Sequence, residues 1–215
     1  YKEDGYFAEA FINMLAFLGW NPGTEQELFS FDDLIASFDL KRVGKSGAKF
    51  NLEKAHWFNQ QYMQNKDAEE LAKTFLFILK QKGIVKKLGF VKKVVSSIKE
   101  RAVFVTDFWD LSSFFFEAPS SYDAKASKKN WKEGASELME ELVTIVASLN
   151  DVSSENTEKK IKEWIVSKEI GFGKVMQPLR LSLVGALKGP HLFDIIELIG
   201  KEETVKRIQN AIKNL

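Results

Sequence analysis

Arg180 stands in the stretch of this chain best suited to recognition chemistry, QPLRLSLVGALKGP from Gln177 to Pro190. A guanidinium is planar, permanently charged and forked, so it can aim paired N–H donors at an acceptor edge. Proline suits the first position of a helix, where its missing N–H costs nothing. The wording therefore predicts a short helix opened at Pro178, with Arg180 on its first turn. Ser182, Gly185 and Ala186 would let another chain come close, and Lys188-Gly189-Pro190 is the expected stop. Gly171-Phe172-Gly173-Lys174 reads as a tight turn that delivers Gln177 and Arg180. The plain alternative is a helix corner carrying an exposed arginine.

Bond-breaking chemistry has little to work with. The chain has no cysteine, hence no thiol nucleophile, no Cys-type zinc site and no disulfide framework. Its two histidines, His56 and His191, are far apart in sequence, and His56 beside Trp57 reads as a packed or surface residue. Val43-Gly44-Lys45-Ser46-Gly47 suggests a phosphate loop. The required G-x-x-x-x-G-K-[ST] spacing fails, because Asp39 and Leu40 stand where the first Gly belongs. No catalytic or metal-ligating residue is expected.

The charge pattern points elsewhere. Net charge is only +1, but residues 1–40 hold eight acids and one lysine, while residues 80–101 hold eight Lys/Arg and one acid. Such a basic stripe can meet phosphate, although a solvated helical face has the same composition. No apolar run approaches the ~20 residues of a membrane span, no signal peptide is present, and the expectation is an intracellular, cytoplasmic protein. Tyr1 in place of Met suggests a piece of a longer chain.

The elements that must position these residues are helical. Phe7, Phe11, Met14, Leu15 and Leu18 recur at helical spacing and stop at Asn21-Pro22-Gly23. Ser30 caps a second helix with Asp33 in capping-box position and Leu34, Ile35 and Phe38 inward. Asp67 and Glu70 open a helix with Leu71, Phe75, Ile78 and Leu79 on its core face. The next has Val91, Val94, Val95 and Ile98 inward, Lys92, Lys93 and Lys99 on its other face, and Arg101 at its end. The rings of Phe104, Phe108, Trp109, Phe114, Phe115 and Phe116 could stack unpaired bases, but read better as a core plug. Residues 123–149 read as one long helix with Trp131, Ala135, Leu138, Leu142, Ile145 and Leu149 as its stripe. Ile161, Trp164 and Ile165 mark a further helix, and Val205, Ile208 and Ile212 face inward on the last.

Three phrases carry a family resemblance: GYFAEAFINMLAFLGWNPG near the start, EQELFSFDDLIASFDLKRVGKSGAKFNLEKAHWFNQQYM after it, and QPLR followed by a small-residue helix, Pro and LFDIIELIGKEETVKRIQNAI. Together they resemble the C-terminal half of bacterial glutamyl-tRNA synthetases, strongly over 4–63 and 171–200 and weakly between about 100 and 160. The resemblance implies a mainly all-α chain with at most one or two very short strands, near Ala48-Lys49-Phe50. It implies a helical stem-contact region over 1–65, then two anticodon-binding helical subdomains over 66–122 and 123–215.

In this family the whole enzyme activates glutamate with ATP and transfers it to tRNA. The HIGH and KMSKS signature loops have no counterpart here, so ATP and Mg would belong to a catalytic domain outside this sequence, and this stretch alone is expected to be catalytically silent. The implied partners are glutamate-specific tRNA and the chain's own catalytic domain, in a monomer with no membrane. Register places Arg101 at the family's reader of the third anticodon base. Arg180, Gln177 and Gly189 fall in the family's other anticodon-contacting region. The family often has a small hydroxyl residue where this chain has Gly189, which leaves a backbone contact there. Lys41, Arg42, Lys45, Lys49, Lys86, Lys87, Lys92 and Lys93 would meet tRNA phosphates. A helical adaptor docking through its Phe-rich segment, and an enzyme that also accepts glutamine tRNA, are the alternatives.

Overall fold

A computed structural model describes residues 1–45 and 47–215. Ser46, part of the rejected phosphate-loop wording, lies outside them. The chain divides into two compact units, Tyr1–Leu111 and Ser112–Leu215. Among the described residues the secondary structure is helical, with one isolated bridge between Trp20 and Val43. The all-α expectation therefore holds, but Ala48-Lys49-Phe50 is not a strand. A strand needs a neighbouring ladder, and the segment that does pair backbone is at Val43.

The first unit is built from α1 (Ala8–Ala16), α2 (Phe31–Ser37), α3 (Leu52–Asn65), α4 (Ala68–Gln81), α5 (Leu88–Ile98) and the start of α6 (Asp107–Ser112). The start signals act as read. The Ser30 hydroxyl accepts from the Asp33 N–H at 3.1 Å, and Asp67 accepts from Glu69 and Glu70 at 2.9 and 3.1 Å. Each satisfies donors that a helix start leaves unpaired. α4 and α5 pack on each other, with Leu71, Phe75 and Leu79 facing Val91, Val94, Val95 and Ile98 as a buried set. α1 packs on α3 through Met14, Ala55 and Phe58. His56 is a packing residue, with its ring 6.1 Å from Tyr6 and 5.6 Å from Phe104.

On α2 only Leu34 is buried, so the inward reading of Ile35 and Phe38 is corrected: both are exposed. They line an open apolar groove of ≈ 640 Å³ together with Ile12, Leu15, Trp20 and Phe31. Helical spacing fixes which residues share a face, but whether a second layer covers that face is not local information.

The second unit holds α7 (Ala124–Asn130), α8 (Ala135–Ser148), α9 (Ser154–Ser167), α10 (Gly173–Val184), α11 (Leu192–Ile199) and α12 (Lys201–Asn214). The long helix expected over 123–149 is two, interrupted at Trp131–Gly134. The buried stripe of α8 is Ala135, Met139, Leu142 and Val146, with Leu138 and Ile145 half-buried at its edge. On α12 the buried set is Thr204, Arg207, Ile208 and Ala211; Ile208 is inward as expected, while Val205 and Ile212 are half-buried at its edge. Phe114 and Phe115 are buried and Phe116 half-buried, which bears out the core-plug reading.

α10 departs most from expectation. It starts at Gly173, so Pro178 lies inside it and Arg180 on a later turn. It stops at Gly185, in the left-handed region with φ 79, before Ala186 and well before Lys188. The Gly171–Lys174 turn feeds straight into helical backbone, which supplies the first turn that Pro178 was assigned. A proline beyond the first turn costs one i→i−4 bond, here offset by the burial of Pro178 itself.

Several carboxyls are held below their ordinary values. Backbone donors at Glu70 and then Glu69 do this for Asp67, the Lys92 hydrogen bond for Glu69, the Lys168 hydrogen bond for Glu141, and the Ser153 backbone N–H for Asp151. Folded-state values below the unfolded ones mean stability is fully present above ~pH 4 and lost as pH falls through the lowered values. Urea midpoints at pH 7 and pH 3 should therefore differ, with the acid value lower. Equal midpoints would show that these pairs contribute nothing.

Candidate nucleic-acid interface

In the second unit the structure brings Arg180 and Gly189 together. Arg180 is half-buried, and its Nη1 donates to the carbonyls of Lys188 at 3.0 Å and Pro190 at 2.9 Å. The guanidinium thus ties down the backbone on both sides of Gly189. Gly189 has φ 103, and a Cβ there would sit 3.1 Å from Cζ of Phe114. A side chain at this position would meet both a disfavoured backbone and the buried ring. Gln177, one turn before Arg180 on α10, is exposed.

Sequence reasoning missed a buried arginine of α12 that bonds the backbone of Phe114, the residue whose ring Gly189 approaches. Arg207 is 2% exposed. Its Nη1 donates to Leu183 O at 2.8 Å and Phe114 O at 2.6 Å, and its Nε to Glu203 Oε1 at 2.8 Å. Leu183 lies in the last turn of α10, where carbonyls lack helical partners and the dipole favours a cation. The only local signal was Glu203 four residues before Arg207, which on its own reads as a surface pair.

In the first unit Arg101 is exposed at the end of the 3-10 turn Lys99–Arg101 that follows α5. That turn lies against α3. Gln60 and Gln64 Nε2 both donate to Glu100 O, at 3.1 and 3.2 Å. Lys99 Nζ caps the end of α3 on the carbonyls of Gln64 and Lys66, each at 2.8 Å. Asn59, fully buried, donates to Val103 O at 2.6 Å and accepts from the Phe7 N–H at 2.8 Å.

The expected phosphate-binding residues differ in what occupies them. Lys86 and Lys87 are exposed at the start of α5, with Lys86 Nζ 5.5 Å from the Phe90 ring centre. Lys93 is exposed, and Lys92 is half-buried and pairs with Glu69 at 3.1 Å. Lys41, Lys45 and Lys49 are exposed, and Arg42 Nη1 donates to the Pro22 carbonyl. Among the described residues no group of three or more His, Asp or Glu is arranged to hold a metal. No helix of the described residues is long and apolar enough to cross a membrane. Taken by itself, the first unit presents Arg101 and exposed lysines on its helices, donors suited to phosphate and to the acceptor edges of unpaired bases.

The family described as "Anticodon binding domain" matches residues 53–212. The catalytic domain of class I tRNA synthetases (E and Q) matches residues 1–57. A glutamate–tRNA ligase of Flavobacterium johnsoniae is 59% identical over all 215 residues, which span 43% of its length. That of Bacteroides thetaiotaomicron is 47% identical over the same share. A crystal structure of a glutamate tRNA ligase from Elizabethkingia meningosepticum in complex with its amino acid superposes with TM-score 0.96 at 47% identity. It covers 100% of this chain and 43% of that one. The chain therefore spans less than half the length of the relatives it matches.

Proposed function

We propose, because the chain belongs to the anticodon binding domain family, that it is the tRNA-reading part of a glutamate–tRNA ligase. The whole enzyme would attach glutamate to its tRNA using ATP and Mg²⁺ in a catalytic domain beyond this sequence, as a cytoplasmic monomer. The observation that carries the reading is Arg101: an exposed residue on a backbone gripped on both sides, within the stretch that matches the anticodon-binding family. Phe114 and Phe115 are buried and Phe116 is half-buried, which argues against an adaptor docking through this segment.

Cytosine presents two adjacent acceptors, O2 and N3, and the arginine fork donates to both. Guanine presents N–H groups at the matching edge, leaving donors opposed. Glutamate anticodons end in C and glutamine anticodons in G, so Arg101 would favour the former. Lys86, Lys87, Lys92 and Lys93 would add phosphate attraction that weakens with salt.

The test is binding of the chain to two anticodon stem-loops that differ only in the third base, at two salt concentrations. Tighter, salt-sensitive binding to the C loop is expected. Arg101→Gln should lower the preference by about 1–3 kcal/mol, the worth of one good bidentate contact. Unchanged preference in that variant would remove Arg101 from the role. Absence of binding by a folded chain would remove the RNA reading of this stretch.

A further inference from the structure

A three-residue 3-10 turn has poor hydrogen-bond geometry of its own, so the shape of Lys99–Arg101 depends on what holds it from outside. The Glu100 carbonyl has two lone pairs and accepts from two donors, Gln60 and Gln64 Nε2. Those glutamines are four apart on α3 and so share one face. Lys99 fixes the turn's first residue to the end of α3. Past Arg101, Asn59 holds Val103 O, and Asp107 Oδ2 accepts from the N–H groups of Val103 and Phe104 at 2.9 and 2.8 Å. The backbone is thus fixed before and after Arg101, while the Arg101 side chain is exposed.

We propose that Gln60 and Gln64 are positioning residues for Arg101, and that third-base specificity depends on their joint grip on the Glu100 carbonyl. The inference rests on the reading of Arg101 given above. A two-bond contact between a guanidinium and a base edge tolerates only about 0.5 Å and 10–20° of error. Arg101 inherits its starting direction from the peptide that the two glutamines hold. Residues of α3 thus set the geometry of a residue that follows α5.

Both glutamines are half-buried rather than core residues, so Gln60→Met/Gln64→Met removes the donors at nearly constant size without emptying the core. The readout is the ratio of affinities for the C and G stem-loops, measured on the 215-residue chain. Five proteins are compared: the parent, the Met/Met pair, Arg101→Ala, the triple variant, and Gln60→Lys on the Gln64→Met background. The Met/Met pair should lower the ratio about tenfold, the size of one coupled contact, with thermal stability close to the parent's. The triple variant should match Arg101→Ala, because the glutamines act only through that arginine. Gln60→Lys on the Gln64→Met background restores one donor and should recover part of the ratio.

If Arg101→Ala abolishes discrimination and the Met/Met pair leaves it intact, the glutamines have no such role and the reading of Arg101 stands. If the pair weakens both loops equally, its effect is structural and the proposal fails. If Arg101→Ala changes nothing, or the parent does not discriminate, the reading of Arg101 itself is wrong and the proposal falls with it.

Discussion

Arg207→Met is expected to cost about 3–5 kcal/mol of folding stability, the usual penalty for breaking a buried charged contact by removing one partner. The substitution leaves the carbonyls of Phe114 and Leu183 and the Glu203 carboxylate without the donors they now have. Methionine fills much of the volume but cannot satisfy an acceptor. Domains of this size are stable by only about 5–15 kcal/mol, so one side chain would remove a large part of the total. The loss should appear in the second unit, where Arg207 and all three of its acceptors lie. Urea unfolding followed by tryptophan fluorescence, with Trp131 and Trp164 reporting on that unit, would measure it. Arg207→Lys keeps the charge but not the fork, and should fall between the two. A cost below about 1 kcal/mol, the range of exposed ion pairs, would show that the buried carbonyls find other partners. The consequence reaches the candidate interface, because Phe114 is also the ring against which Gly189 sits.

Gly185→Ala carries the second large expected effect. Gly185 ends α10 at φ 79, where a Cβ costs ~1–2 kcal/mol from backbone conformation alone. The added carbon would also lie 2.6 Å from Ser121 O and 2.9 Å from Pro119 Cβ. The first is a backbone atom and cannot swing aside. Moving it strains the neighbouring bond from the Asp123 N–H to Gly185 O, 2.7 Å long, at the residue that caps α7. Gly134→Ala is the control. Its φ is 83, yet a Cβ there meets nothing within 4 Å, so only the conformational cost applies. Gly185→Ala should be the more destabilising of the two by thermal melting, and should also loosen the loop that Arg180 holds. Equal losses would mean that the close approach to Ser121 relaxes freely and that only φ matters.

Much of this protein was legible in its sequence. The stripes of α4 and α5 were, because apolar periodicity states which residues share a face. So were the starts at Ser30 and Asp67, because a capping side chain acts within three residues of itself. The role of the Phe-rich stretch as core was legible as well, and so was the family, from literal wording at both ends of the chain. The positions that the sequence alone missed or misplaced depend on distant partners. Arg207 meets carbonyls 93 and 24 positions away, and no local pattern distinguishes it from a surface Glu–Arg pair. Gln60 and Gln64 meet a carbonyl 40 and 36 positions away. Ile35 and Phe38 carry the right spacing for a core face but stay exposed, since spacing names a face without naming what covers it. Pro178 reads as a helix start until the preceding residues are seen to be helical already. Local chemistry determined the elements and their caps. Tertiary structure decided which charges are buried, which loops are held, and therefore how each arginine is presented, because those depend on acceptors that only folding brings within reach.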